Sequence, residues 1–226
     1  ARLAAVDPAP LIQEYVPGGG CGIFALADQG EVIALFAHRR VTENPPSGGV
    51  AVVSESCPPH PAARDAACAL LRALRWHGVA MVEFRLDARD GLPKLMEING
   101  RFWGSLELAI RAGVDFPWLL YRMARDGRAS APTGYRMGVR NRWLMGDVDR
   151  LIAALVGRRS RSGVAAPARG QAVREFLGVA QPRARLEVER ADDPLPALAE
   201  AGAYGWRLFG SAMKRLLRND GDGHER

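Results

Sequence analysis

The chain is poor in cysteine, in lysine and in long apolar runs, and each shortage removes a class of protein. Cys21, Cys57 and Cys68 are odd in number and widely spaced, with no C-x-x-C pair. That usage excludes a disulfide-stapled fold and fits a reduced, cytoplasmic protein. No apolar run approaches the roughly 20 residues needed to span a bilayer, so no transmembrane segment is expected. The start has no methionine: Ala1 opens directly into Ala-rich sequence with Pro8 and Pro10. It also lacks the basic and then apolar pattern of a signal or transit peptide, and the expectation is an N-terminally truncated or processed chain. The cluster Gly18-Gly19-Gly20-Cys21-Gly22 is not followed by Lys-Ser or Lys-Thr, as a P-loop requires, and reads as a turn. Cys21 has no placeable base partner, which argues against a nucleophilic role.

What remains is a chain of 226 residues, 48% of them hydrophobic, long enough to bury a core in one domain or two small ones. Its formal charge of +6 comes mainly from arginine, since Lys94 and Lys214 are the two lysines. A basic balance suits anionic partners in general, but an Arg-rich, Ala-rich composition is also what GC-rich coding gives; no nucleic-acid partner is predicted from it.

Turn residues divide the first part into short elements. Leu11 to Val16 reads as a strand ended by Pro17; Ile23 to Ala27 and Glu31 to Arg39 read as an antiparallel hairpin turning at Asp28-Gln29-Gly30. Asn44 to Gly49 is a loop and Val50 to Glu55 another strand. Pro61 to His77 carries Ala63, Ala67, Leu70, Leu71 and Leu74 at helical spacing. Two further strands, Val79 to Leu86 and Lys94 to Asn99, flank the turn Asp90-Gly91. Ser105 to Ala112 and Phe116 to Arg125 read as helices stopped by Gly113 and Gly127.

Alternation puts Glu97 and Asn99 on one face of their strand, and a hairpin brings Glu83 opposite them. Three oxygen donors on one face suit a hard cation such as Mg²⁺, with Mn²⁺ also possible, shared with substrate phosphates. Arg101 follows with a planar fork of donors for phosphate or carboxylate oxygens. Glu-x-Asn alone is common and more often a solvated strand edge; Glu83, Arg101 and the segment around Tyr15 make it a candidate site.

Gly78, Glu83, Asp90-Gly91 and Glu97-Ile98-Asn99-Gly100-Arg101 together resemble the C-terminal part of the ATP-grasp superfamily, as in carbamoyl phosphate synthetase, biotin carboxylase and D-alanine ligase. The family pattern has proline where this chain has Gly100, a change that removes no ligand. The resemblance covers 1–130 and implies an α+β fold, an antiparallel sheet with helices on one side, followed by a helical appendage. It implies ATP and Mg²⁺ as cofactors, with Glu83, Glu97 and Asn99 as metal ligands and Arg101 on the transferring phosphoryl group. Gln13, Glu14, Tyr15 and Val16 resemble the adenine hinge, with the Glu14 carbonyl and the Val16 N–H facing the base; the ribose contact is unassigned. Arg40, favoured over Arg39 in His38-Arg39-Arg40, resembles the basic strand end that faces phosphates or acceptor, near Ser47-Gly48-Gly49. His38 reads equally well as structural, His60 and His77 as surface or capping residues and Trp103 as packing.

The implied activity is ligation of a small-molecule carboxylate to an amine or thiol through an acyl phosphate. The alternatives are phosphoryl transfer to a non-carboxylate acceptor and a non-catalytic nucleotide-binding or interaction module. Beyond 130 the expected appendage runs to 218, with one or two helices over 139–156, a linker near 157–170, an amphipathic helix over 198–217 and a disordered tail, 219–226. Arg140-Asn141-Arg142-Trp143 with Asp147 reads either as an acidic-substrate group or, better, as a helix docking on the first lobe. Lys214, Arg215 and Arg218 late in the last helix complement the helix dipole; contact with acidic membrane lipids is the less favoured reading. The oligomeric state is not predicted.

Overall fold

The computed structural model describes residues 12–44, 49–130, 132–156, 168–177 and 184–221, the last eleven by backbone alone. The described residues form a mixed α+β structure with seven strands, mostly antiparallel, and six helices. Two compact units divide it: Ala1–His38 with Pro58–Phe102 and Phe116–Ala131, and Arg39–Cys57 with Trp103–Asp115 and Pro132–Arg226.

In the first unit the strand order is β5-β4-β1-β2, with β1 at Gly18–Asp28, β2 beginning at Glu31, β4 at Gly78–Asp87 and β5 at Pro93–Asn99. The β1–β2 turn has Gln29 at φ 46° and Gly30 at φ 97°, the two left-handed residues of a type I′ hairpin, whose twist matches its strands. Helix α1, Pro61–Ala73, buries Ala63, Ala67 and Leu71, one residue per turn. Those side chains pack on Ile23, Ala25, Ala37, Ala80, Val82 and Phe84. Each fully buried Leu or Phe here contributes about 1.5–3 kcal/mol. The helix stops earlier than its pattern predicts because Arg75 turns left-handed at φ 46°, which leaves Leu74 exposed. Helix α3, Phe116–Asp126, buries Phe116, Leu119 and Met123.

The expected turn at Gly18 to Gly22 is instead the start of β1, and the expected strand before it, over its described residues 12–16, has no ladder bonds. Pro17 offers no N–H for a ladder. The glycines, by contrast, lie against β4 in register, from Gly18↔Asp87 to Gly22↔Glu83.

In the second unit β3, Val50–Ser56, pairs antiparallel with β6, Arg140–Arg142, which runs parallel to β7, Arg185–Leu186. The helices are α2 (Leu106–Ala112), α4 (Leu144–Val156), α5 (Arg169–Phe176) and α6 (Leu195–Gly221). The expected helix over 139–156 is therefore a strand followed by a helix, and Arg140 to Arg142 do not form a docking helix. Arg140 and Arg39 (2.9 Å) both donate to the Glu55 carboxylate. Burial alone would raise Glu55, but these bonds outweigh it and hold the group below its ordinary range. Arg142 binds Asp147 and the Phe176 carbonyl, and Arg150 binds Glu175 at 2.9 Å. Most of the expected linker, and the tail beyond 221, lie outside the described residues.

Glu187 is the titrating weak point of this unit. Burial pushes its carboxyl up to about 7, with Arg111 opposing and Glu107, Glu200 and Glu189 adding to the rise. A raised carboxyl favours the folded state below its unfolded value of 4.5, and that contribution is lost as pH rises to about 7. Between pH 5.5 and 8 the loss is about 2 kcal/mol. Thermal melts of the wild type should therefore fall by about 4–8 °C over this interval relative to Glu187→Gln. Parallel pH profiles for the two proteins would remove Glu187 from the account.

Candidate nucleotide and metal site

The β4–β5 hairpin closes because Asp90 is held on both sides. Its carboxylate accepts from the Leu92 N–H at 2.8 Å and from Lys94 Nζ at 2.9 Å, and Gly91 supplies the left-handed step at φ 72°. The resulting register sets Glu83 directly opposite Glu97 and Met81 opposite Asn99. Directly opposed residues share a face with Cβ atoms about 4.5–5.5 Å apart, so Glu83, Glu97 and Asn99 come together on one face of the hairpin.

Asn99 Nδ2 donates to Glu97 Oε1 at 2.8 Å. That bond uses the amide's donor and turns Oδ1 to the role of acceptor, the atom a cation would need. Glu97 is exposed, and Glu83 and Asn99 are half-buried. Among the described residues no group of three or more His, Cys, Asp or Glu converges. The donor set here is two carboxylates and an amide, which fits a Mg²⁺ that keeps waters and shares phosphate oxygens, not an all-protein cage.

The same row continues into β1, where Gly22 lies opposite both Glu83 and His38. A Cβ at Gly22 would meet the Phe24 ring at 2.9 Å, and that ring stacks on His38 with centroids 4.7 Å apart. Arg101 is exposed just beyond β5, with Nη1 donating to the Phe102 carbonyl at 3.0 Å. Gly100 does more than replace a proline: a Cβ there would press on the Trp76 indole at 2.9 Å. Trp103 is buried, as expected of a packing residue.

The segment carrying Gln13, Glu14, Tyr15 and Val16 is fixed to the unit by two arginines of β4 and its turn, which the sequence reading left out. Arg85 donates to the carbonyls of Val16 and Gly18, both at 2.8 Å, and lies 5.9 Å over the Tyr15 ring. Arg89 grips Asp87 and reaches Glu14 Oε1 at 2.9 Å, while the Ala88 N–H donates to the Pro17 carbonyl at 2.8 Å. Hydrogen bonds from Arg89 hold the buried Asp87 down to about 2. These bonds use the Val16 and Pro17 carbonyls and the Glu14 side chain, leaving the Glu14 carbonyl and the Val16 N–H outside them. Arg85 was legible in principle: it sits two residues from Glu83, in phase on the same strand face.

Gly18 pairs with Asp87, four residues along β4 from Glu83. That is roughly 13 Å of strand. Arg40 belongs to the second unit, where Nη1 contacts Glu43 at 3.5 Å and the Gly49 carbonyl at 3.4 Å. Ser47 and Gly48 lie outside the described residues. Burial pushes the Cys57 and Cys68 thiols up, away from thiolate chemistry.

The family model for an ATP-grasp in the biosynthetic pathway with Ter operon matches residues 7–146. The chain belongs to this ATP-grasp family. No curated protein matches it by sequence. Among solved structures, this ATP-grasp chain is similar to the phosphoribosylaminoimidazole carboxylase ATPase subunit from Aquifex aeolicus, at 15% identity and TM-score 0.51, covering 77% of this chain and 58% of that one. It is also similar to L-amino acid ligase from Bacillus licheniformis, at 22% identity and TM-score 0.39, over 49% of this chain and 30% of the ligase. A biotin carboxylase domain of the Hydrogenobacter thermophilus 2-oxoglutarate carboxylase, solved with MgADP, matches at 16% identity and TM-score 0.41, over 54% and 28%. The likeness to the Aquifex aeolicus subunit, at TM-score 0.51, speaks for the fold alone. The ATP-grasp chain thus spans less than two thirds of each of these proteins. Among its described residues no helix is long and apolar enough to cross a membrane.

Proposed function

We propose that this ATP-grasp chain carries the nucleotide-handling part of an ATP- and Mg²⁺-dependent ligase joining a small-molecule carboxylate to an amine or thiol. The observation that carries the reading is the cross-strand pair Glu83–Glu97 with Asn99 on the same face, in the same unit as the docked segment 13–16.

In this reading the Glu14 carbonyl accepts from the adenine amino group and the Val16 N–H donates to the ring. Glu83, Glu97 and Asn99 hold Mg²⁺, which when bound neutralises charge on the phosphate oxygens. Arg101 donates to the γ-phosphoryl group as a carboxylate oxygen of the substrate attacks it. The bond to the ADP oxygen breaks, and an acyl phosphate forms. An amine or thiol then attacks the acyl carbon, loses its proton and expels phosphate. Arg40 is assigned to an anionic group of the phosphates or the acceptor on the resemblance alone.

Full-length protein incubated with Mg-ATP and a panel of acids should release ADP in a carboxylate-dependent way, with hydroxylamine trapping the acyl phosphate as a hydroxamate. ADP release with an alcohol acceptor and no hydroxamate would favour phosphoryl transfer; no acceptor-dependent release would favour a non-catalytic nucleotide-binding module. Arg101→Ala should lower kcat about 10²–10³-fold while the Kd for Mg-ATP moves less than about threefold, because its contact strengthens as charge develops. An equal loss in Kd would make Arg101 a ground-state binding residue.

A further inference from the structure

Arg85 joins the two parts of the candidate site. On β4 it lies opposite Gly20, between Glu83 and Asp87, and the period of a strand puts all three on one face. Its guanidinium reaches off its own strand to the segment before β1. Nε donates to the Val16 carbonyl and Nη2 to the Gly18 carbonyl, both at 2.8 Å, and the centre of the Tyr15 ring lies 5.9 Å from Cζ. Residues 12–17 lie outside every strand. In place of a ladder, these contacts set the segment's course together with the Ala88 N–H on the Pro17 carbonyl and Arg89 on Glu14.

The backbone carries that constraint to the base-facing groups. Only two soft dihedrals separate the plane of the held Val16 carbonyl from the peptide bearing the Val16 N–H, and two more lead to the Glu14 carbonyl. Adenine presents an amino donor beside a ring acceptor; guanine presents a carbonyl acceptor beside a ring N–H. A carbonyl and an N–H held in register accept the first pattern and oppose the second, and a site built on such hydrogen bonds rejects the wrong partner strongly.

We infer that Arg85 is a positioning residue that sets the site's preference for adenine, acting through the backbone of residues 16 and 18. This role rests on the reading that segment 13–16 faces the base and that Glu83, Glu97 and Asn99 face phosphates; it does not need the ligation step. Lysine is the telling substitution, because it keeps the charge beside Glu83 and lacks the rigid planar fork that serves two carbonyls. The intact chain is titrated calorimetrically with ATP, GTP and inorganic tripolyphosphate, each in excess Mg²⁺. Arg85→Lys should lower the preference for ATP over GTP about tenfold or more, while the Kd for tripolyphosphate, which has no base, stays within about twofold of wild type. A residue serving only the fold would move all three ligands together. Glu14→Ala frees the same segment from Arg89 without altering β4 and should lower the preference about threefold, so it serves if Arg85→Lys misfolds. An ATP preference that survives in the folded variants, or an equal loss for all three ligands at unchanged circular dichroism, would overturn this role alone. ATP and GTP bound equally by the wild type would overturn the hinge reading and this role with it.

Discussion

Glu97→Gln is expected to lower carboxylate-dependent ADP release by about a thousandfold, with a thermal midpoint within about 2 °C of wild type. The substitution keeps the length and shape of the side chain and its acceptor oxygen, so the Asn99 bond at 2.8 Å can persist. Glu97 is exposed on β5 and is no part of the buried core, which is why little stability is at stake. What changes is charge. Two opposed carboxylates in register become one, and a divalent cation shared with phosphates loses half of the protein's neutralising charge. Steady-state rates against Mg²⁺ concentration check this: excess metal should restore part of the rate if Glu97 is a ligand. A rate defect that metal does not relieve would place Glu97 elsewhere in the mechanism.

The second large effect is structural. Gly18→Ala should destabilise the fold by about 3 kcal/mol or more, whereas Gly19→Ala should change it by less than about 1 kcal/mol. Gly18 has φ 130°, and a Cβ there would sit 1.9 Å from the Leu86 carbonyl oxygen, backbone that cannot swing aside. At Gly19 nothing lies within 4 Å of an added Cβ. The damage should spread to the segment before it, because Arg85 donates to the carbonyls of both Gly18 and Val16. Urea melts of the two variants, with fluorescence titration of ATP, test both halves. Equal stabilities for the neighbouring alanine variants would mean that β1 can begin one residue later without loss.

The hairpin that holds Glu83, Glu97 and Asn99 was legible because alternation, a turn dipeptide and ligand chemistry all specify the same register. The β1–β2 hairpin and α1 were legible for similar reasons. The glycine cluster was misread because a run of glycines signals a turn locally, while its place in the ladder depends on β4, some 60 residues away in sequence. Arg140 to Arg142 was misread as helix because a three-residue strand has no period of its own and is fixed by β3 across the ladder. Arg85 could have been placed on the site's face by its phase with Glu83, but its partners, and those of Arg89, are backbone carbonyls and a buried Asp87, contacts that no residue pattern announces. The family match extends to 146, beyond the 130 residues over which the motifs were recognised.

The central claim is that Glu83, Glu97 and Asn99 hold a metal that bridges nucleotide to this chain. Calorimetric titration of wild type and Glu97→Gln with ATP, in excess Mg²⁺ and again in excess chelator, tests it directly. The account predicts at least about tenfold weaker Mg-ATP binding by the variant and equal, weak binding by both proteins without metal. Equal affinity of the two proteins for Mg-ATP would contradict it.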